Sequence, residues 1–128
     1  MPVQHTDDGT PVVRFEPAIE ISPFELFTRL RENRDRPVLV DLRRTPTGWR
    51  LRGAIRASDT DVEPPADRDT VFYDQAGDVS PAVVAGWRDR GFSRTWALMG
   101  GIDLYSFCLD ASILDTDTFL ERIVDQTW

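Results

Sequence analysis

Two kinds of apolar pattern alternate along the chain. Val38-Leu39-Val40-Asp41-Leu42-Arg43 and Thr70-Val71-Phe72-Tyr73 are short runs rich in β-branched and aromatic residues, and they predict strands buried on both faces of a sheet. Thr95–Met99 predicts a third such strand, and Gly53-Ala54-Ile55 the start of a very short one. Elsewhere apolar residues recur at helical spacing. Phe24, Phe27 and Leu30, with Leu26, form a stripe in a helix started by Ser22-Pro23-Phe24-Glu25, which reads as a serine N-cap, a proline at the first helical position and a capping-box glutamate. Arg29, Arg31 and Arg34 then suit the negative end of that helix. Val83, Val84 and Trp87 mark a second helix, expected to be capped by Ser80 with Pro81 next and to stop at Gly91.

The remaining segments are read from weaker signals. Residues 1–11 are polar and predict a loose tail, with a single domain from 12 to 128. Val12–Ile21, broken by Pro17, predicts an edge strand. Thr45–Arg52 reads as a connection, and Asp59–Asp69, with five carboxylates and Pro64-Pro65, as an exposed acidic loop. Gly100-Gly101 predicts a turn into a brief helix around Ile102–Phe107. Thr118–Thr127 predicts a final helix with Thr118 and Glu121 as its capping box, and with Phe119, Leu120, Ile123 and Val124 as its packing face.

Strands alternating with helices predict an α/β fold, a mostly parallel sheet covered by helices on both faces with right-handed crossovers. In such folds ligands meet the loops at the carboxyl ends of the strands. That directs attention to Asp74-Gln75-Ala76-Gly77-Asp78-Val79, the loop between the strand Thr70–Tyr73 and the helix at Ser80. Backbone N–H groups of a tight loop beside a helix N-terminus form an anion site. Its first residue, Asp74, is itself an anion.

Composition narrows the chemistry. The 128 residues carry a formal net charge of −7, which argues against binding nucleic acid through phosphates. All fifteen basic residues are arginine, so no lysine can serve as a base, a Schiff-base nucleophile or a phosphate clamp. The one histidine, His5, lies in the polar N-terminal stretch, which leaves little room for histidine-based nucleophilic or metal chemistry. A single cysteine, Cys108, excludes an internal disulfide. No apolar run reaches the eighteen or so residues that a membrane span needs. A cytoplasmic protein without membrane, metal or cofactor is therefore expected.

Four motifs in order resemble a rhodanese-like domain: Ile21-Ser22-Pro23-Phe24-Glu25-Leu26, the strand Val38–Arg43, the turn Gly53-Ala54-Ile55, and Gly91-Phe92 followed by Leu98-Met99-Gly100-Gly101-Ile102. The resemblance runs from about Ile19 to Phe107 and implies a five-stranded, mostly parallel sheet with an active loop after the fourth strand. In active members that loop opens on a nucleophilic cysteine and closes on an arginine. Matched residue by residue, Asp74 falls at the nucleophile, Gly77 at the internal glycine, Val79 at the arginine and Ser80 at the helix cap. The loop length is that of the sulfurtransferases; the related phosphatases use one residue more. A carboxylate cannot carry a persulfide, and valine supplies no cation for an anionic donor. The resemblance thus implies a domain of the inactive type, a binding or regulatory module for a protein partner or a small cationic ligand.

Several readings stay open on the residues alone. Asp74 can plug the loop from within, act as a binding determinant, or accept a phosphoryl group, although the last normally needs a lysine that the chain lacks. Asp74, Asp78, Asp103 and Arg43 are the candidate cleft residues, and the three carboxylates could hold a divalent cation for unrelated chemistry. Cys108, flanked by Phe107 and Leu109, is either an inert core thiol or the one available sulfur carrier. Trp49, Trp87 and Trp96 read as core or groove aromatics, and Trp128 as a local or interface residue.

Overall fold

The computed structural model describes residues 3–5, 11–13, 18–32, 35–57 and 63–124. Its main sheet has five parallel strands, β3 (Glu20–Ile21), β4 (Val38–Asp41), β6 (Ile55–Arg56), β7 (Thr70–Tyr73) and β8 (Thr95–Leu98), in the order β3-β8-β7-β4-β6. β7 lies in the middle, in register with β4 (Val40 opposite Phe72) and with β8 (Val71 opposite Trp96). Alternate residues of these strands feed two cores, as the pleat requires. On one face Leu39, Val71 and Leu98 pack with Leu26, Phe27 and Leu30 of α1 (Pro23–Glu32) and Ile102 and Tyr105 of α3 (Gly101–Cys108). On the other, Val40, Phe72 and Ala97 pack under Val84 and Trp87 of α2 (Ser80–Asp89). The expected α/β architecture is present, with the central strands β4, β7 and β8 buried from both sides. No helix among the described residues is long and apolar enough to cross a membrane.

The start of α1 follows its local signals. The Glu25 N–H donates to Ser22 Oγ at 3.2 Å, as an N-cap should. The start of α2 differs from expectation. Val79 occupies the cap position without a side-chain bond, and Ser80 is already helical. The Ser80 hydroxyl is engaged elsewhere, by Asp74.

Three segments depart further from the sequence pattern. Among the described residues of the predicted edge strand Val12–Ile21, only Glu20–Ile21 joins the main sheet, beside β8, and residues 18–19 form a turn before it. β2 (Pro11–Val13) pairs antiparallel with β1 (Val3–His5), which places a two-stranded ribbon at the predicted tail. The third departure is at the C-terminus. Where a helix was predicted over Thr118–Thr127, Leu120–Arg122 forms β9, antiparallel to β5 (Trp49–Leu51) within the predicted connection. Residues 125–128, with Trp128, lie outside the described part. Glu121 does not cap a helix; its carboxylate pairs with Arg50 at 3.1 Å and Arg52 at 3.4 Å. Thr118 is buried, and its carbonyl accepts from Tyr105 Oη at 2.8 Å. These partners come from distant parts of the chain, and their pairing overrides a local helix signal. A four-residue helix, α4 (Ala111–Leu114), follows α3 and is capped by Asp110, whose carboxylate accepts from the Ser112 N–H at 2.9 Å.

The acidic loop is tied down at its C-terminal end. Asp69 accepts from Arg29 of α1 at 2.8 Å and from Arg94, just before β8, at 3.1 Å. Burial raises the Asp69 pKa, but the two arginines outweigh it and hold the group below its ordinary value. A lowered folded-state pKa gives stability that is present above the unfolded value of about 3.9 and is lost as pH falls through the folded value. Asp69→Asn is therefore expected to cost about 1 kcal/mol at neutral pH. That difference should fade below about pH 4, as read by urea denaturation at both pH values.

Candidate functional site

The loop Asp74–Val79 connects the C-terminal end of central β7 to α2 and folds around its own first side chain. The Asp74 carboxylate is buried. Its Oδ1 accepts from the Gly77 N–H at 3.1 Å and from the Ser80 hydroxyl at 3.0 Å. Its Oδ2 accepts from the Val79 N–H at 2.7 Å. The nest of donors that the loop length predicts is present, and Asp74 fills it.

A second element fixes the loop from outside. The N–H groups of Ile102 and Asp103, at the free N-terminal end of α3, donate to the carbonyls of Asp74 and Gln75, both at 3.0 Å. This approach needs glycine twice. Gly77 has φ +84°, and a Cβ there would lie 2.9 Å from the Gly100 nitrogen. Gly101 has φ +65°, and a Cβ there would lie 2.6 Å from the carbonyl oxygens of Asp74 and Gln75. The diglycine turn is thus a seat for the loop.

Beneath the loop lies a charged pair at the end of β4. Asp41 is fully buried, and Arg43 is 8% exposed. Arg43 Nε donates to both Asp41 oxygens, at 3.0 and 3.2 Å, and Nη2 to Oδ2 at 2.7 Å. The rest of the guanidinium is used as well. Nη1 donates to the Thr47 carbonyl and to Gln75 Oε1, and Nη2 to the Trp49 carbonyl. Burial opposes the charge on Arg43, but hydrogen bonds and Coulomb attraction from Asp41 prevail and raise its pKa above the ordinary arginine value. Tyr73 lies against this pair, with Arg43 5.8 Å from its ring centroid. Burial, then the Asp41 charge, pushes its phenol pKa well above the usual tyrosine range.

Of the predicted residues, the structure joins Arg43 and Asp103 through Gln75, whose amide accepts from Arg43 and donates to Asp103 Oδ1. Asp74 points inward, whereas Asp78 and Val79 are exposed. Arg43 is a buried strut below the loop, with every guanidinium N–H engaged. Among the described residues no three carboxylate, thiol or imidazole groups converge as a metal ion requires. Asp74, Asp78 and Asp103, candidate cation ligands in the sequence, do not form such a group here. Cys108 is half-buried against the α1/α3 core. Asp41 is the residue that the sequence reading missed. The signal was an aspartate inside an apolar strand with an arginine two residues on, which places both side chains on one face.

No protein-family model and no curated protein sequence matches the chain. Solved structures do. The rhodanese-like domain of an Anabaena protein superposes with a TM-score of 0.58 at 18% identity, covering 89% of this chain and 85% of that one. The fold is rhodanese-like. A rhodanese homologue from the extremely thermophilic bacterium Thermus thermophilus gives a TM-score of 0.54 at 20% identity, over 66% of this chain and 98% of the other. A Rhodopseudomonas palustris protein described as a possible tyrosine phosphatase gives 0.58 at 18% identity, over 72% and 82%. In this rhodanese-like frame β7 is the fourth strand of the main sheet in chain order, and the loop Asp74–Val79 follows it directly.

Proposed function

We propose that this protein is a non-catalytic rhodanese-like domain that works as a binding or regulatory module through the loop Asp74–Val79. The observation that carries this reading is the Asp74 carboxylate, which accepts three donors of the loop nest from within. An anionic sulfur donor would have to displace a covalently attached anion. The loop supplies no cation: Val79 closes it, and Arg43 is spent below it. Surface groups available to a partner are the exposed Asp78 and Val79. The packing of Cys108 against core residues supports its role as a structural thiol.

The purified protein is expected to convert no thiosulfate and cyanide to thiocyanate above background. Turnover lost in Cys108→Ser would move the chemistry to that thiol and overturn the reading. Asp74→Cys alone should gain little. Adding Val79→Arg should raise turnover at least about tenfold above the single variant, because neighbours sharing one anion site couple. Loop-dependent binding is checked by capture from cell extract with wild type and with Asp78→Arg.

A further inference from the structure

The loop leads into a groove of about 570 Å³ along one flank of α2. Its floor is Val79, Ala82, Val83, Gly86 and Trp87, spaced i, i+3, i+4, i+7 and i+8, the stripe that one helix presents to another. Asp78 stands at one end and Arg90 at the other, roughly 18 Å apart along the helix. Neither has an opposite charge to answer it among the described residues. Arg90 stacks on Trp87 at 4.5 Å from the ring centroid, which leaves its N–H edge free for an acceptor.

Gly86 is the informative residue. It sits inside α2, where glycine is the least favourable residue except proline. Nothing in the fold needs it there: a Cβ would meet no atom within 4 Å, and its φ lies outside the left-handed region. With Ala82 one turn before, it leaves a shallow notch in which a second helix can approach closely. Val79 remains 54% exposed at the head of the groove.

We infer that this groove receives an amphipathic helix of a partner protein, about three turns long, antiparallel to α2, with an acidic first turn at Arg90 and a basic last turn at Asp78. The orientation follows from charge. A helix with acidic residues at its N-terminus and basic residues at its C-terminus satisfies its own macrodipole. It meets Arg90 and Asp78 in complementary order only when antiparallel to α2. The inference rests on the proposed binding role of the loop and names the chemistry of the partner.

The probe is a stapled helical peptide of about 14 residues, with leucines at i, i+3, i+4 and i+7, glutamates in its first turn and arginines in its last. A second peptide carries glutamine at both ends. Titration followed by amide NMR should shift resonances within Asp78–Arg90, with the charged peptide binding roughly 3- to 10-fold tighter. A spin label at the peptide C-terminus should broaden Asp78 more than Arg90. Gly86→Gln should fold with a melting temperature at or above wild type, yet bind at least about tenfold more weakly, because its side chain fills the notch. Affinity unchanged by Gly86→Gln, or equal for the two peptides, would overturn the inference. So would self-association of the protein through α2 that the peptide does not compete. The loop reading fails separately, through measurable sulfur transfer or through capture that ignores Asp78→Arg. Partner capture that depends on Asp78 but not on Gly86 would keep the loop reading and sink the groove.

Discussion

Arg43→Met is expected to cost about 3–5 kcal/mol of folding stability. The change leaves the Asp41 carboxylate in a site with no solvent exposure and no counter-charge. It also removes the donors to the carbonyls of Thr47 and Trp49 and to Gln75. An unpaired buried charge is the costly part, so removing both partners should be milder than removing one. The double variant Asp41→Leu/Arg43→Met is therefore expected to regain more than half of the loss, a clear non-additivity between touching residues. Urea denaturation of the three proteins at neutral pH measures it. A single-variant cost under about 1 kcal/mol would mean that water reaches Asp41.

Asp74→Asn is expected to cost on the order of 1–3 kcal/mol. The carboxylate now offers two acceptor atoms to three donors. Asparagine offers one oxygen and turns an NH₂ group toward either Val79 or the Gly77–Ser80 side, so at least one donor of the nest faces another donor. Asp74→Ala removes the internal anion altogether and opens the nest. That variant, but not wild type, should gain thermal stability as sulfate or thiosulfate is added, because only an open site binds the ion and links binding to folding. Scanning calorimetry across anion concentrations gives the comparison. Equal stabilisation of wild type would show that Asp74 does not fill the nest, and the plug reading would fall.

The chain by itself determined the elements whose signals are local. Val38–Asp41 and Thr70–Tyr73 are strands because continuous β-branched and aromatic runs fit a sheet covered on both faces. Ser22 starts α1 because its hydroxyl reaches an N–H three residues on. The loop Asp74–Val79 was legible too, from its length, its one glycine and the helix behind it, and an inward-facing Asp74 was among the readings it left open. Tertiary structure alone decided the rest, where the deciding partner lies far along the chain. Leu120–Arg122 carries a helix-like pattern, but Trp49–Leu51 offers it a strand edge, and Arg50 and Arg52 take Glu121. Ser80 has the chemistry of a cap, yet a carboxylate six residues earlier claims its hydroxyl. Arg43 looked like a cleft cation, and only the fold shows Asp41, Thr47, Trp49 and Gln75 closing on it. A guanidinium with five donors goes where acceptors are densest. Where they are densest is a property of the folded backbone, which no local pattern encodes.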